Sequence, residues 1–195
     1  MDRTAPPQHL AGLIGLIREK SYREGDFTLA SGKKSKFYID LKPTTLSSEG
    51  AFLIGELVVE LILREGLEVE AVGGMTLGAD PLATAVSLAT RGRFGSGESF
   101  GLPAYIVRKE PKDHGTARFI EGVENLRSGA KLLVLEDVVT TGGSSLKAIE
   151  RLREAGYEPT TVLTIVDREQ GGREAFEKAG VRFFSLIKIS QLKTQ

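Results

Sequence analysis

Lys131 to Leu146, KLLVLEDVVTTGGSSL, changes character three times in sixteen residues. Leu132 to Glu136 read as a buried strand ending in a carboxylate, and Asp137 adds a second acid where the strand is expected to leave the sheet. Thr140, Thr141, Gly142, Gly143, Ser144 and Ser145 then supply hydroxyls, flexible backbone and N–H groups, and Leu146 is expected to open a helix. A strand, an acidic edge, a small-residue loop and a helix N-terminus describe a pocket for a phosphate carried on something that bears hydroxyls.

Working outward, the same kind of unit recurs. Upstream, Val69 to Val72 reads as a strand ended by Gly73 and Gly74, Met75 to Asp80 as its loop, and Pro81 as the first turn of a helix through Val86 and Leu88. A long helix precedes it, from about Glu49 to Arg64, capped by Ser47 or Ser48, with Phe52, Leu53, Leu57, Leu61 and Ile62 on one face and Gly66 as its stop. Leu102 to Val107 is a further strand. Downstream come a helix carrying Leu146, Ile149 and Leu152 up to Gly156, a strand from Thr160 to Asp167, a short helix from Arg173 to Ala179, and a last strand from Arg182 to Ile189. Strands alternating with helices predict an α/β fold, a mostly parallel sheet flanked by helices, in a single domain over residues 1–195.

Residues 1–45 stand apart from that alternation. Gln8 to Lys20 predicts an amphipathic helix, and Phe27 to Lys42 predicts two extended pieces around a turn at Ser31 to Ser35, so this part is expected to form a small N-terminal hood. Because open sheets bind ligands at the carboxyl ends of their strands, Gly73 to Asp80, Arg108 to His114, Glu136 to Ser145 and Asp167 to Gly172 should meet on one rim.

Composition narrows the chemistry. The 26 basic residues balance the 26 acidic ones, which argues against a general nucleic-acid coat or a membrane-surface protein. There is no cysteine, which excludes a cysteine nucleophile and a cysteine-ligated zinc, and fits a reducing cytoplasm. With His9 and His114 as the two histidines, a multi-histidine metal site is out of reach. The apolar stretches Leu10 to Ile17 and Leu57 to Leu63 are too short to span a bilayer. The chain has neither the GxxxxGK[ST] of a Walker A phosphate-binding loop nor the GxGxxG of a dinucleotide fold. A bare strand-to-helix turn would also need small residues, but it leaves the Glu136–Asp137 pair without a purpose.

EDVVTTGGSS resembles the phosphoribosyl-diphosphate signature of type I phosphoribosyltransferases, and RKEPKDHG, Arg108 to Gly115, resembles the catalytic loop of the orotate phosphoribosyltransferases among them. FTLASGKKSKFYID, GGMTLGADPLA and VDREQGG resemble further stretches of that family, so the likeness covers nearly the whole chain. The resemblance implies transfer of a 5-phosphoribosyl group from phosphoribosyl diphosphate to N1 of orotate, giving orotidine 5'-phosphate and diphosphate on the way to UMP. It implies that Glu136 and Asp137 hold the ribose hydroxyls and that Val138, Val139, Thr140, Thr141, Gly142, Gly143 and Ser144 surround the 5-phosphate. Arg108, Lys109, Lys112 and His114 would bind diphosphate, with Lys112, His114 and Asp137 nearest the chemistry. Thr76, Leu77 and Gly78 would form the diphosphate loop, and Phe37, Tyr38, Thr140 and Arg168 would meet orotate.

Mg²⁺ is implied as a cofactor held mainly by phosphoribosyl diphosphate, with no direct ligand from the chain. Also implied is a homodimer in which Lys112 and His114 complete the neighbour's site. No nucleic acid, no membrane and a cytoplasmic location complete the expectation. The chain departs from some members at Ala30 and Gly78, where they carry lysines, so the loop is expected to lean on backbone N–H groups, metal and Lys33 or Lys34. Three other readings share parts of the pattern: a phosphoribosyltransferase for another base, a nucleic-acid-binding regulator on the same fold, and a nucleotide-binding domain without catalysis. Arg168 and the order RKEPKDHG favour orotate, neutrality speaks against the regulator, and plain nucleotide binding leaves the charged loop unused.

Overall fold

The computed structural model describes residues 7–28, 32, 34–93, 101–111 and 119–193. In chain order the elements are α1 (Pro7–Lys20), β1 (Tyr22–Thr28), β2 (Lys34–Ile39), α2 (Lys42–Thr45), α3 (Ser48–Arg64), β3 (Ala71–Met75) and α4 (Asp80–Ala89). After these come β4 (Ala104–Val107), β5 (Ile120–Glu121), β6 (Lys131–Val139), α5 (Gly143–Glu154), β7 (Glu158–Asp167), α6 (Gly172–Lys178) and β8 (Arg182–Lys188). Six strands form one sheet in the order β5-β4-β3-β6-β7-β8, parallel throughout except for the antiparallel edge strand β5. The strands β1 and β2 make a separate antiparallel pair, the predicted hood hairpin.

Strand alternation sorts the core into two layers. Leu133 and Leu135 of β6 join a cluster with Leu13 and Ile17 of α1, Leu53, Ile54 and Val58 of α3, and Leu82 and Val86 of α4. Their neighbours Leu132 and Val134 join a second cluster with Ala148, Ile149 and Leu152 of α5 and Phe176 of α6. Helices α1, α3 and α4 therefore cover one face and α5 and α6 the other, as period-two alternation requires of a sheet buried on both sides. Ile149 and Leu152, each fully buried on the apolar face of α5, contribute roughly 1.5–3 kcal/mol apiece to holding that helix in place.

Several predicted boundaries move. Gly73 and Gly74 lie inside β3 and do not end it, because the strand runs so close to its neighbours that no Cβ fits: one at Gly73 would meet Tyr105 O at 2.1 Å, and one at Gly74 would meet Leu135 O at 2.2 Å. The strand β6 continues through Asp137 to Val139, since Val138 and Val139 pair with Val166 and Asp167 of β7. Helix α5 starts at Gly143, three residues before Leu146. Phe52, expected on the apolar face of α3, is 58% exposed, and Leu88 near the end of α4 is 65% exposed. Ser47 is the N-cap of α3, its hydroxyl accepting from Gly50 N at 3.1 Å.

Candidate active site

The parallel strands β3, β4, β6 and β7 end on one rim at Met75, Val107, Val139 and Asp167. Because β6 runs on past both acids, alternation sends them to opposite faces. Glu136 turns towards α5, where the buried Ser145 hydroxyl donates to its Oε2 at 2.7 Å. Asp137 turns towards the loop before α4, where a Cβ on Gly78 would stand 2.9 Å from its Oδ1. Asp137 also accepts from Val138 N at 2.8 Å. One acid is thus tied to the N-terminal end of α5 and the other to the loop before α4.

Glu136 is buried, and burial pushes its carboxyl up to about 7, the Asp137 charge adding to the rise while the Ser145 hydrogen bond and the Lys109 charge oppose it.

Glu136, Val138, Val139, Thr140, Thr141, Gly142, Gly143 and Ser144 line a pocket of about 210 Å³, open to solvent at the N-terminus of α5. Gly142 takes φ +84°, and a Cβ there would lie 2.7 Å from the Phe176 ring, so glycine is required both for the turn and for the packing. The first turn of α5 then points its unpaired N–H groups into the pocket, and the helix dipole favours an anion by roughly 0.3–1 kcal/mol.

Next to this pocket, Arg168 follows β7 and its backbone N–H donates to Val139 O at 2.9 Å. Its guanidinium stacks on Phe37 of the hood, 4.8 Å from the ring centre. Burial lowers its proton affinity, and its Nε is buried with no hydrogen-bond partner among the described residues. A half-buried cation with an unused donor calls for an anionic acceptor. Tyr38 lies on the other face of β2, 46% exposed, its ring 5.7 Å from that of Phe27, so Phe37 and Arg168 come together without it.

On the side of the loop before α4, Thr76 Oγ1 donates to Asp80 Oδ2 at 2.7 Å, closing Thr76, Leu77 and Gly78 into a tight loop with Leu77 exposed. Asp80 Oδ1 is buried without a partner among the described residues. Arg108 and Lys109 leave the end of β4; Arg108 Nη1 donates to Glu121 Oε1 at 3.1 Å, and Lys109 is exposed. Lys34, offered as a stand-in cation, donates to Thr28 Oγ1 at 2.7 Å within the hairpin. Lys112, His114, Ala30 and Lys33 lie outside the described residues. Among the described residues, no three acids or histidines come together as a metal cage.

Two features carried no sequence signal. Lys42, at the start of α2, is bonded to Asp40 at 3.2 Å; burial works against its charge, but Asp40 and the charge of Asp137 outweigh that and hold the ammonium above its ordinary range. Ser145 was visible as one hydroxyl of a loop, yet its bond to Glu136 required both the extended β6 and the early start of α5.

No protein-family model matches the chain. Among curated proteins, it is 51% identical over 181 residues to an orotate phosphoribosyltransferase of Thermosynechococcus vestitus, covering 93% of this chain and 91% of that one. The solved structure of orotate phosphoribosyltransferase from Mycobacterium tuberculosis H37Rv with Fe(III) dicitrate matches with a TM-score of 0.80 at 38% identity, over 95% of this chain and 99% of that one. Its complex with 5-phospho-alpha-D-ribosyl 1-diphosphate matches with a TM-score of 0.74 at 35% identity, over 94% and 98%.

Proposed function

The chain belongs to the orotate phosphoribosyltransferase family, and from that premise we infer that it transfers the 5-phosphoribosyl group of phosphoribosyl diphosphate to N1 of orotate, releasing diphosphate and forming orotidine 5'-phosphate. It is a pentosyltransferase of pyrimidine synthesis. Its substrate is the magnesium complex of phosphoribosyl diphosphate, whose ion neutralises charge on the leaving diphosphate.

In this reading the loop Thr140 to Ser144 and the first turn of α5 hold the 5-phosphate, which fixes C1 of the ribose towards β3 and β4. Glu136 and Asp137 accept from the ribose hydroxyls, and their negative charge favours the oxocarbenium character that C1 gains as its bond to diphosphate lengthens. Gly78 keeps the diphosphate loop free of a side chain against Asp137, and with Thr76 N donating to Val107 O at 2.9 Å it is the backbone N–H groups of Leu77 and Gly78 that meet the leaving group. Arg108 and Lys109 add positive charge there, and Lys112 and His114 act in a partner's site. Orotate lies between Phe37 and Arg168, near Thr140 and Tyr38, and needs little base help because its N1 is close to anionic.

The observation that carries the choice of orotate is Arg168: a buried Nε without an acceptor, beside the phosphate pocket, suits a base that bears a carboxylate. Uracil, adenine and hypoxanthine offer none. Incubation with phosphoribosyl diphosphate and Mg²⁺ should consume orotate absorbance with matching diphosphate release, and leave those three bases unchanged. Turnover of one of them in place of orotate would overturn the assignment.

The working unit is a homodimer of single-domain chains, each with residues 1–45 as a hood, in the cytoplasm. Exposed Leu46, Phe52 and Leu88 on α2, α3 and α4 and their connections favour a covered surface on that side. Mixing a Lys112→Ala chain with an Arg168→Ala chain should restore activity, since hybrid dimers contain one intact site; no recovery after subunit exchange would argue for self-contained protomers. No helix of the described residues is long and apolar enough to cross a membrane.

A further inference from the structure

Arg151, in the third turn of α5, touches no part of the pocket at that helix's N-terminus, yet it spends all its polar reach on the other end of the site. Its Nη1 donates to the Arg108 carbonyl, and its Nη2 donates to the Lys109 carbonyl at 2.8 Å. The same guanidinium lies flat over Phe119, 4.1 Å from the ring centre, and Met75 Sδ at the end of β3 is 3.9 Å from Nη1. Arg108 and Phe119 bracket the connection from β4 to β5, and Arg108 N donates to Phe119 O at 2.7 Å, so one side chain grips both ends of that connection where they pair. We propose that Arg151 is a positioning residue, a clasp that fixes Arg108 and Lys109 at the diphosphate end of the site relative to the helix whose N-terminus receives the 5-phosphate.

The physical case rests on rigidity. Ser145 and Arg151 are six residues apart on one helix, about 9 Å along its axis, so the group that orients Glu136 and the group that holds Lys109 move as one body. A planar guanidinium can donate to two carbonyls and stack on a ring at once, which an ammonium cannot. Lys109 is exposed and free to wander unless its backbone is held. Its charge is felt at Glu136, as expected of a lysine kept close to the rim.

The inference depends on the phosphoribosyltransferase reading, and the two are tested separately: turnover by the unaltered chain tests the reading, and ratios among variants test the clasp. Arg151→Ala should lower kcat/KM for phosphoribosyl diphosphate on the order of tenfold, with KM for orotate unchanged. Arg151→Lys should lose less, because it keeps one charged donor. In a Lys109→Ala background the Arg151→Ala loss should largely vanish, since its target is gone. An unchanged kcat/KM, an equal loss towards both substrates, or a full additional loss in the Lys109→Ala background would each overturn the clasp. Should Arg151→Ala melt early, Arg151→Lys carries the test alone, and a loss that is not confined to phosphoribosyl diphosphate, or that persists beside Lys109→Ala, overturns it.

Discussion

The two ends of the rim are built in opposite ways. The end proposed to hold the 5-phosphate is made by consecutive chain: β6, the turn at Gly142 and the first turn of α5 supply the whole lining of the pocket within Glu136 to Ser144. The end proposed to hold diphosphate is assembled from afar. Gly78 abuts Asp137 across 59 positions of sequence, and Arg151 reaches carbonyls 43 and 42 residues away. A phosphate wants N–H groups and a dipole, which any strand–turn–helix offers locally. A leaving group wants positive charge brought up to it, and long cationic side chains need a scaffold to hold them there.

Substitutions at each end should therefore fail differently. The largest effect is expected at the diphosphate end from Lys112→Ala, which should cost on the order of 2.7–4 kcal/mol in the activation free energy if the ammonium acts mainly in the transition state; a turnover number equal to the parent's would remove it from that role. Next, Arg168→Ala should weaken orotate by roughly 1.5–3 kcal/mol, the range for a charged hydrogen bond, read as a raised KM for orotate with little change for phosphoribosyl diphosphate. An equal rise for both would detach Arg168 from the base. At the phosphate end, Gly142→Ala should show up as lost stability, about 1–3 kcal/mol from a left-handed non-glycine residue pressed against Phe176. Denaturant unfolding that matches the parent would mean the turn has another way to close.

The last effect is on pH dependence. The folded chain holds the Glu136 proton up to about 7, while the unfolded chain releases it around 4.5. Between those values the folded state binds more protons, so Glu136 contributes stability at low pH that is lost as pH rises through about 7. Subtracting the melting profile of Glu136→Gln from that of the parent should leave a difference that falls over this window. A flat difference would show that the carboxyl ionises normally.

The same division explains what could be read in advance. The phosphate loop was legible because its residues are neighbours and each obeys a local rule: apolar strand, small turn, helix start. Even there, the strand's true end at Val139 escaped, since pairing with Val166 and Asp167 decides it, and with it the divergence of Glu136 and Asp137 to opposite faces. Helix α2 is four residues long and β5 two, below the length at which periodicity speaks. Phe52 and Leu88 fit an apolar stripe in sequence but face solvent in the isolated chain.

By itself the sequence determined the α/β alternation and the succession of apolar strand, small-residue turn and helix from Lys131 to Glu154, because hydrophobic period and turn chemistry act over a few residues. Only the tertiary structure decided which face each acid serves, that Arg168 meets Phe37 with its Nε unspent, and that Arg151 reaches back to Arg108 and Lys109. Those outcomes depend on strand register and helix placement, which are fixed by burying two apolar layers at once and by no single stretch of chain.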